Sequence, residues 1–133
     1  MKESDLKHHI DNNMLETVIV ASSDMQGRLC AKRLTARHFL ENTKRIGTCS
    51  VILGWGQDHS EDYGYEFTGW DLGYPDLIVK PDLSTARWYP WFEKTIIMFG
   101  DQVDEDQKEI IVSPRAILKN MISKLNEYDL NPY

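Results

Sequence analysis

Pro81-Asp82-Leu83-Ser84-Thr85-Ala86-Arg87-Trp88-Tyr89-Pro90-Trp91 is the stretch on which the reading of this chain turns. It joins two apolar runs of strand composition, Leu77-Ile78-Val79 and Thr95-Ile96-Ile97-Met98-Phe99. Pro81-Asp82 supplies a corner, because proline fixes φ and aspartate favours turn positions. Ala86 to Tyr89 reads as a short strand after it, and Lys94 to Gly100 as the most fully buried strand of the molecule.

Working outward, Glu16–Ser23 and Arg28–Thr35 read as strands around the turn Asp24-Met25-Gln26-Gly27, so residues 16–35 form a hairpin. Ser4 is expected to cap a first helix running to about Met14, with Leu6, Ile10 and Met14 as its apolar stripe. Thr35 is expected to cap a second helix, Ala36 to Lys44, and residues 48–53 read as a further strand. Asp101 to Lys108 reads as an acidic turn and Glu109–Val112 as a short strand. Ser113-Pro114 then opens a helix with Ile117, Met121, Ile122 and Leu125 on one face, serine at the cap and proline at the first helical position. Gly27 and Gly100 read as turn glycines. Strand runs with a few helices between them, without regular βαβ alternation, predict an α+β fold: a mixed sheet packed against a helix.

A chain of 133 residues, 41% hydrophobic and 27% charged, is one folded domain by size and composition. Its net charge of −6, with 15 scattered basic residues, argues against nucleic acid as a partner, since phosphate binding needs clustered Lys and Arg. No apolar run approaches the roughly 18 residues of a membrane span, and the polar Met1-Lys2-Glu3-Ser4-Asp5 start does not fit a signal peptide. No membrane partner and a cytoplasmic location are expected. Cys30 and Cys49 stand without a CxxC pair and read as two reduced thiols, the alternative being one disulfide.

Gly54 to Pro75 is a long loop within a small domain, and such loops tend to carry function or motion. Asp58, Glu61, Asp62, Asp71 and Asp76 give it and its exit an acidic character. One reading is a negatively lined entrance that favours a cation; the other is a solvated surface. Trp70 lies in the same stretch, where an indole face attracts a cationic amine, or else is buried in a contact. Trp88 and Trp91 read as core or interface residues, and Arg87 as the partner of a structural carboxylate. His59, a single histidine among carboxylates, makes a poor metal ligand. No metal ligands are assigned, and Cys49 has no motif that would pair it with His38 or His59 for nucleophilic catalysis.

The Pro-Asp-Leu-Ser-Thr-x-Arg-x-x-Pro-Trp string resembles the N-terminal domain of the glutamine synthetase family. Asp24-x-x-Gly27 followed by Lys32-Arg33 resembles that domain's first hairpin, and Thr35–Leu40 the helix after it. Gly69-Trp70-x-x-Gly73-Tyr74-x-Asp76 and Ser113-Pro114-Arg115-x-Ile117-Leu118-Lys119 match in the same order, so the resemblance covers nearly the whole chain. It implies a β-grasp-like domain over residues 1–112, with residues 113–133 starting a connection to a catalytic domain that this chain lacks. By the same resemblance the complete protein is an ATP-dependent ligase joining glutamate to ammonia or an amine. ATP and Mg²⁺ or Mn²⁺ would be its cofactors, with none held by this chain. It would act as a homo-oligomer in which this domain contacts a neighbouring subunit and walls its active site. Asp62 is the candidate contact for the acceptor amine; Trp70, Asp71 and Asp76 are the candidate site wall, with a turn-capping role as the alternative for Asp76. The loop has no Asp-Gly-Ser-Ser string, and the pattern is closer to the divergent branch that includes γ-glutamyl-polyamine synthetases, which leaves the acceptor open. The chain alone is expected to be inactive. The alternative is a stand-alone, non-catalytic structural or binding module of the same fold.

Overall fold

Val18 and Val20 face one side of their strand and are buried, while Ile19 faces the other and is half-exposed, the alternation of a sheet with one covered face. The computed structural model that shows this describes residues 1–42, 46–61 and 64–131. Its strands are β1 (Thr17–Ser23), β2 (Leu29–Thr35), β3 (Ile46–Cys49), β4 (Asp76–Pro81), β5 (Arg87–Trp88) and β6 (Thr95–Val103). They form one mixed sheet in the order β2-β1-β6-β4-β3. β1 and β2 are the expected antiparallel hairpin, and β1 lies parallel to β6, Val18 opposite Ile96 and Val20 opposite Met98. Along its other edge β6 pairs antiparallel with β5 at Ile96–Ile97 and with β4 at Gly100–Val103.

Two helices, α1 (Glu3–Asp11) and α2 (Ala36–Glu41), cover the apolar face. Leu6 and Phe39, both fully buried, meet Val18, Val20, Ile96, Met98 and Val79 there. Burying side chains of this size contributes about 1.5–3 kcal/mol each. The architecture is α+β and agrees with a β-grasp-like domain. A second, smaller cluster of Ile52, Leu53, Leu77 and Ile110 lies at the β3–β4 end. Cys30 and Cys49 are free thiols. Among the described residues no helix is long and apolar enough to cross a membrane.

Several local expectations change. Lys2, not Ser4, is the residue before α1, and the Asp5 carboxylate accepts its backbone N–H at 2.8 Å. The helix stops at Asp11 because Asn12 caps it and Asn13 turns left-handed (φ 54°), so Leu15 is buried instead of Met14. Thr35 does cap α2, accepting from the His38 N–H; Lys44 lies outside the described residues. The expected strand 48–53 is instead the end of β3 followed by a 3-10 turn, Ser50–Leu53, which sends both Ile52 and Leu53 inward. Gly100 is no turn glycine: it lies within β6 opposite Pro81, where an added Cβ would overlap the Val79 side chain. β6 therefore runs on to Val103, and the acidic turn shortens to Asp104–Lys108, closed by the Asp104 carboxylate on the Lys108 N–H. The expected strand 109–112 amounts to a single pairing of Glu109 with Val103.

Helix α3 (Pro114–Asn126) has proline in its first turn as expected, but the Ser113 hydroxyl makes no cap. It donates at 2.6 Å to the buried Gln102 side chain, whose amide in turn reaches Ser22 and the Ser23 carbonyl. This satisfied polar triad replaces the apolar packing expected of α3. Only Ala116 of the helix is buried, while Ile117 and Met121 are about half exposed.

Candidate functional site

The loop between β3 and β4 is pinned at several points by the chain's own hydrogen bonds. At its root the Ser50 and Thr68 hydroxyls meet at 2.8 Å in a buried site, and the Ser50 N–H donates to the Pro75 carbonyl at 3.1 Å. Residues 55–61 fold into a small hairpin in which Trp55 pairs with Glu61. Asp58 closes its turn, and hydrogen bonds from the Ser60 hydroxyl and N–H hold its carboxyl below the usual carboxylate range. From outside the loop, Arg28 donates to the Gly56 and Gln57 carbonyls at 3.1 and 2.9 Å.

Arg28 can do so because a fully buried carboxylate orients it. Asp24 accepts the Arg28 guanidinium and also the N–H groups of Gln26 and Arg28. Burial alone would raise the Asp24 pKa; the Arg28 hydrogen bond and the two N–H donors outweigh it and hold it below the ordinary value. The turn that the sequence presents as a simple hairpin closure therefore also fixes the acidic loop. The Asp24/Arg28 spacing of four was visible in the sequence, but only folding reveals that the guanidinium reaches residues 56–57.

Beyond this anchored part, Trp70–Leu72 form one 3-10 turn closed by Gly73 in the left-handed conformation (φ 68°). Trp70 is 67% exposed and rests edge-on against the Tyr74 ring. Tyr74 donates its hydroxyl to Glu61 at 2.6 Å, tying this turn to the 55–61 hairpin. Asp71 lies exposed beside Trp70, and Asp76 is the exposed first residue of β4, opposite Cys49. Neither forms an ion pair among the described residues, and Asp76 caps no turn there. The structure thus groups Trp70 and Asp71 on one turn and sets Asp76 at its exit. Asp62, the candidate amine contact, lies outside the described residues. The His59 ring packs edge-on against Trp55. Among the described residues no group of three or more His, Cys, Asp or Glu side chains is placed to hold a metal ion.

The quoted Pro81–Trp91 string has a different task. Asp82 accepts from the Ser84 hydroxyl and N–H and pairs with Arg115, which also binds Asp101; Lys119 adds a second bond to Asp101 at 2.6 Å. The string thereby clamps α3 to the sheet. Led by the Ser84 hydroxyl, these bonds and the cations hold the Asp82 carboxyl below its usual range despite partial burial. Arg87 donates to the Thr85 carbonyl rather than to a carboxylate. Trp88 and Trp91 are not core residues: they are 45% and 75% exposed, Trp88 edge-on to the His9 ring and Trp91 edge-on to Tyr89, which stacks on Phe92.

No protein-family model matches the chain. It is 37% identical over 84% of its length to γ-glutamylethanolamide synthetase of Streptomyces coelicolor, covering 24% of that protein. Against glutamate–isopropylamine ligase of a Pseudomonas species it is 34% identical over 96% of its length, covering 28% of the relative. Type-1 glutamine synthetase 2 of Dictyostelium discoideum is 36% identical over 86% of the chain, which covers 22% of it. The chain is a homologue of the glutamine synthetase family. The match is to the N-terminal region, and the chain spans about a quarter of the length of these curated relatives. The solved structure titled "GmaS/ADP complex" shares the fold, with a TM-score of 0.71 over 94% of the chain, 26% of that structure's chain and 18% identity. In this glutamine synthetase-like domain, the turn with Trp70 and Asp71 leaves an aromatic and an acidic side chain exposed next to each other.

Proposed function

We propose that this chain serves as the N-terminal domain of a glutamine synthetase-like, ATP-dependent ligase that joins glutamate to ammonia or an amine. Its role there is to make subunit contacts and to wall part of a neighbouring subunit's active site, in a cytoplasmic homo-oligomer. The observation that carries the reading is the Trp70–Asp71 turn: an exposed indole beside a carboxylate that forms no ion pair among the described residues, on a turn tied to the 55–61 hairpin through Tyr74. An indole face and a carboxylate attract an ammonium group most strongly where water is excluded, and a second surface closing over the turn would exclude it. The names of two relatives specify amines larger than ammonia, which favours an amine acceptor.

Among the described residues no group of three or more His, Cys, Asp or Glu side chains is placed to hold a metal ion, and on this reading ATP and Mg²⁺ or Mn²⁺ would be held by the rest of the ligase. No chemical step is assigned to this chain, which on this reading is inactive alone. Grafting it in place of the matching quarter of the Streptomyces coelicolor relative tests the role. The chimera should release ADP in a glutamate- and amine-dependent manner, and Trp70→Ala should lower kcat/KM for the amine by about three- to thirtyfold, the span of a partly to fully desolvated cation–π contact. A folded, active chimera indifferent to Trp70→Ala and to Asp71→Asn would remove the wall from the account.

A further inference from the structure

A cavity of about 620 Å³ opens between residues 64–68, the β1–β2 turn and the stretch that follows β6. Its floor is Leu53 and Ile110, buried members of the second core cluster, so the base is preformed. Phe67 and Tyr65 supply aromatic walls, and the lining is predominantly apolar. Three carboxylates, Glu66, Asp104 and Glu109, also line it, and among the described residues no Lys, Arg or His does. Asp104 uses one oxygen to accept the Lys108 N–H, and Glu109 one oxygen to accept the Asn120 amide, leaving the second oxygen of each without a described partner. Glu66 is exposed and forms no ion pair among the described residues.

The volume falls within the range of small-molecule sites, which are largely apolar with a few polar groups that set orientation. A neutral apolar ligand would leave three carboxylates of one sign beside it unanswered, and an anion would be repelled. We infer that this cavity binds a primary alkylammonium ion, its chain against Leu53, Phe67 and Ile110 and its head at the Glu66, Asp104 and Glu109 carboxylates. Trp70, Asp71 and Asp76 do not line the cavity, and the inference stands without the ligase reading because binding requires neither ATP nor turnover.

Isothermal titration of the 133-residue chain with butyl-, hexyl- and octylammonium, hexanol and hexanoate tests it. Affinity for the amines should rise about two- to fourfold per added methylene until the cavity is filled. Hexanol should bind at least about tenfold more weakly than hexylammonium, and hexanoate more weakly still, as a charge-assisted contact requires. Glu66→Gln, an exposed substitution that leaves the core untouched, should weaken hexylammonium about three- to tenfold and leave hexanol unchanged. Trp70→Ala should change neither. Equal binding of hexanol and hexylammonium, no saturable binding by any amine, or amine binding that survives Glu66→Gln but not Trp70→Ala would each overturn the assignment. So would concentration-dependent self-association abolished by Ile111→Asp in a chain that takes up no amine, because a second copy would then fill the groove.

Discussion

Two acidic regions of this domain show opposite electrostatic designs. Asp24, Asp82 and Asp101 each face a guanidinium or ammonium group; Asp24 and Asp82 also accept from backbone or hydroxyl donors, Asp82 and Asp101 tie α3 to the rest of the domain, and Asp24 orients the Arg28 that reaches residues 56–57. Asp71 and Asp76, in the loop region, carry no such partner among the described residues, and Asp71 adjoins the exposed Trp70. A carboxylate that has been given an arginine is committed to the fold, whereas one left in water beside an aromatic face remains available to a partner. The sequence motif on which the family resemblance most rests, Pro81–Trp91, accordingly proves to be a structural clamp on α3, while the Gly69–Asp76 segment leaves Trp70, Asp71 and Asp76 exposed.

If that division is right, the paired region should be costly to disturb and the unpaired one cheap. Asp24→Ala should have the largest effect, about 3 kcal/mol in urea denaturation, because it strands the partly buried Arg28 and two N–H donors together. Since Asp24 titrates below its ordinary value when folded, its contribution is complete above an aspartate pKa of about 4 and is lost as pH falls through the folded value. Acid unfolding of Asp24→Asn should accordingly depend less steeply on pH below that point than acid unfolding of the parent; equal slopes would contradict the assignment. Gly100→Ala should follow at about 1–3 kcal/mol, since its Cβ has no room beside Val79. Arg115→Ala should cost about 1–2 kcal/mol and release amide exchange protection chiefly in α3, leaving Asp82 and Asp101 as near like charges. Asp71→Asn should stay within about 0.5 kcal/mol of the parent, as exposed unpaired positions do. A destabilisation of Asp71→Asn matching that of Arg115→Ala would erase the distinction.

The hairpin, the Thr35 cap, the central strand and the α+β class were legible because local composition and period agree with the tertiary environment there. Failures cluster where a side chain is taken up by a distant partner. Ser113 reads as a cap but its hydroxyl is drawn to Gln102, and the apolar face of α3 reads as packed although a polar triad and the Arg115 clamp hold the helix instead. Gly100 reads as a turn because a close approach between β6 and β4 leaves no local trace. In the candidate site, the acidic character and Trp70 could be read directly, as could Asp71 and Asp76. The Arg28 staple and the cavity lined by Glu66, Asp104 and Glu109 could not, because each joins segments dozens of residues apart.

On the proposed function this domain offers a surface to a site that other residues must complete. ADP release by the purified 133-residue chain, with ATP, Mg²⁺, glutamate and ammonium, ethanolamine or a polyamine, addresses that claim most directly. Nucleotide turnover no faster than the protein-free background is the predicted result; glutamate- and amine-dependent ADP release that Trp70→Ala abolishes would contradict it.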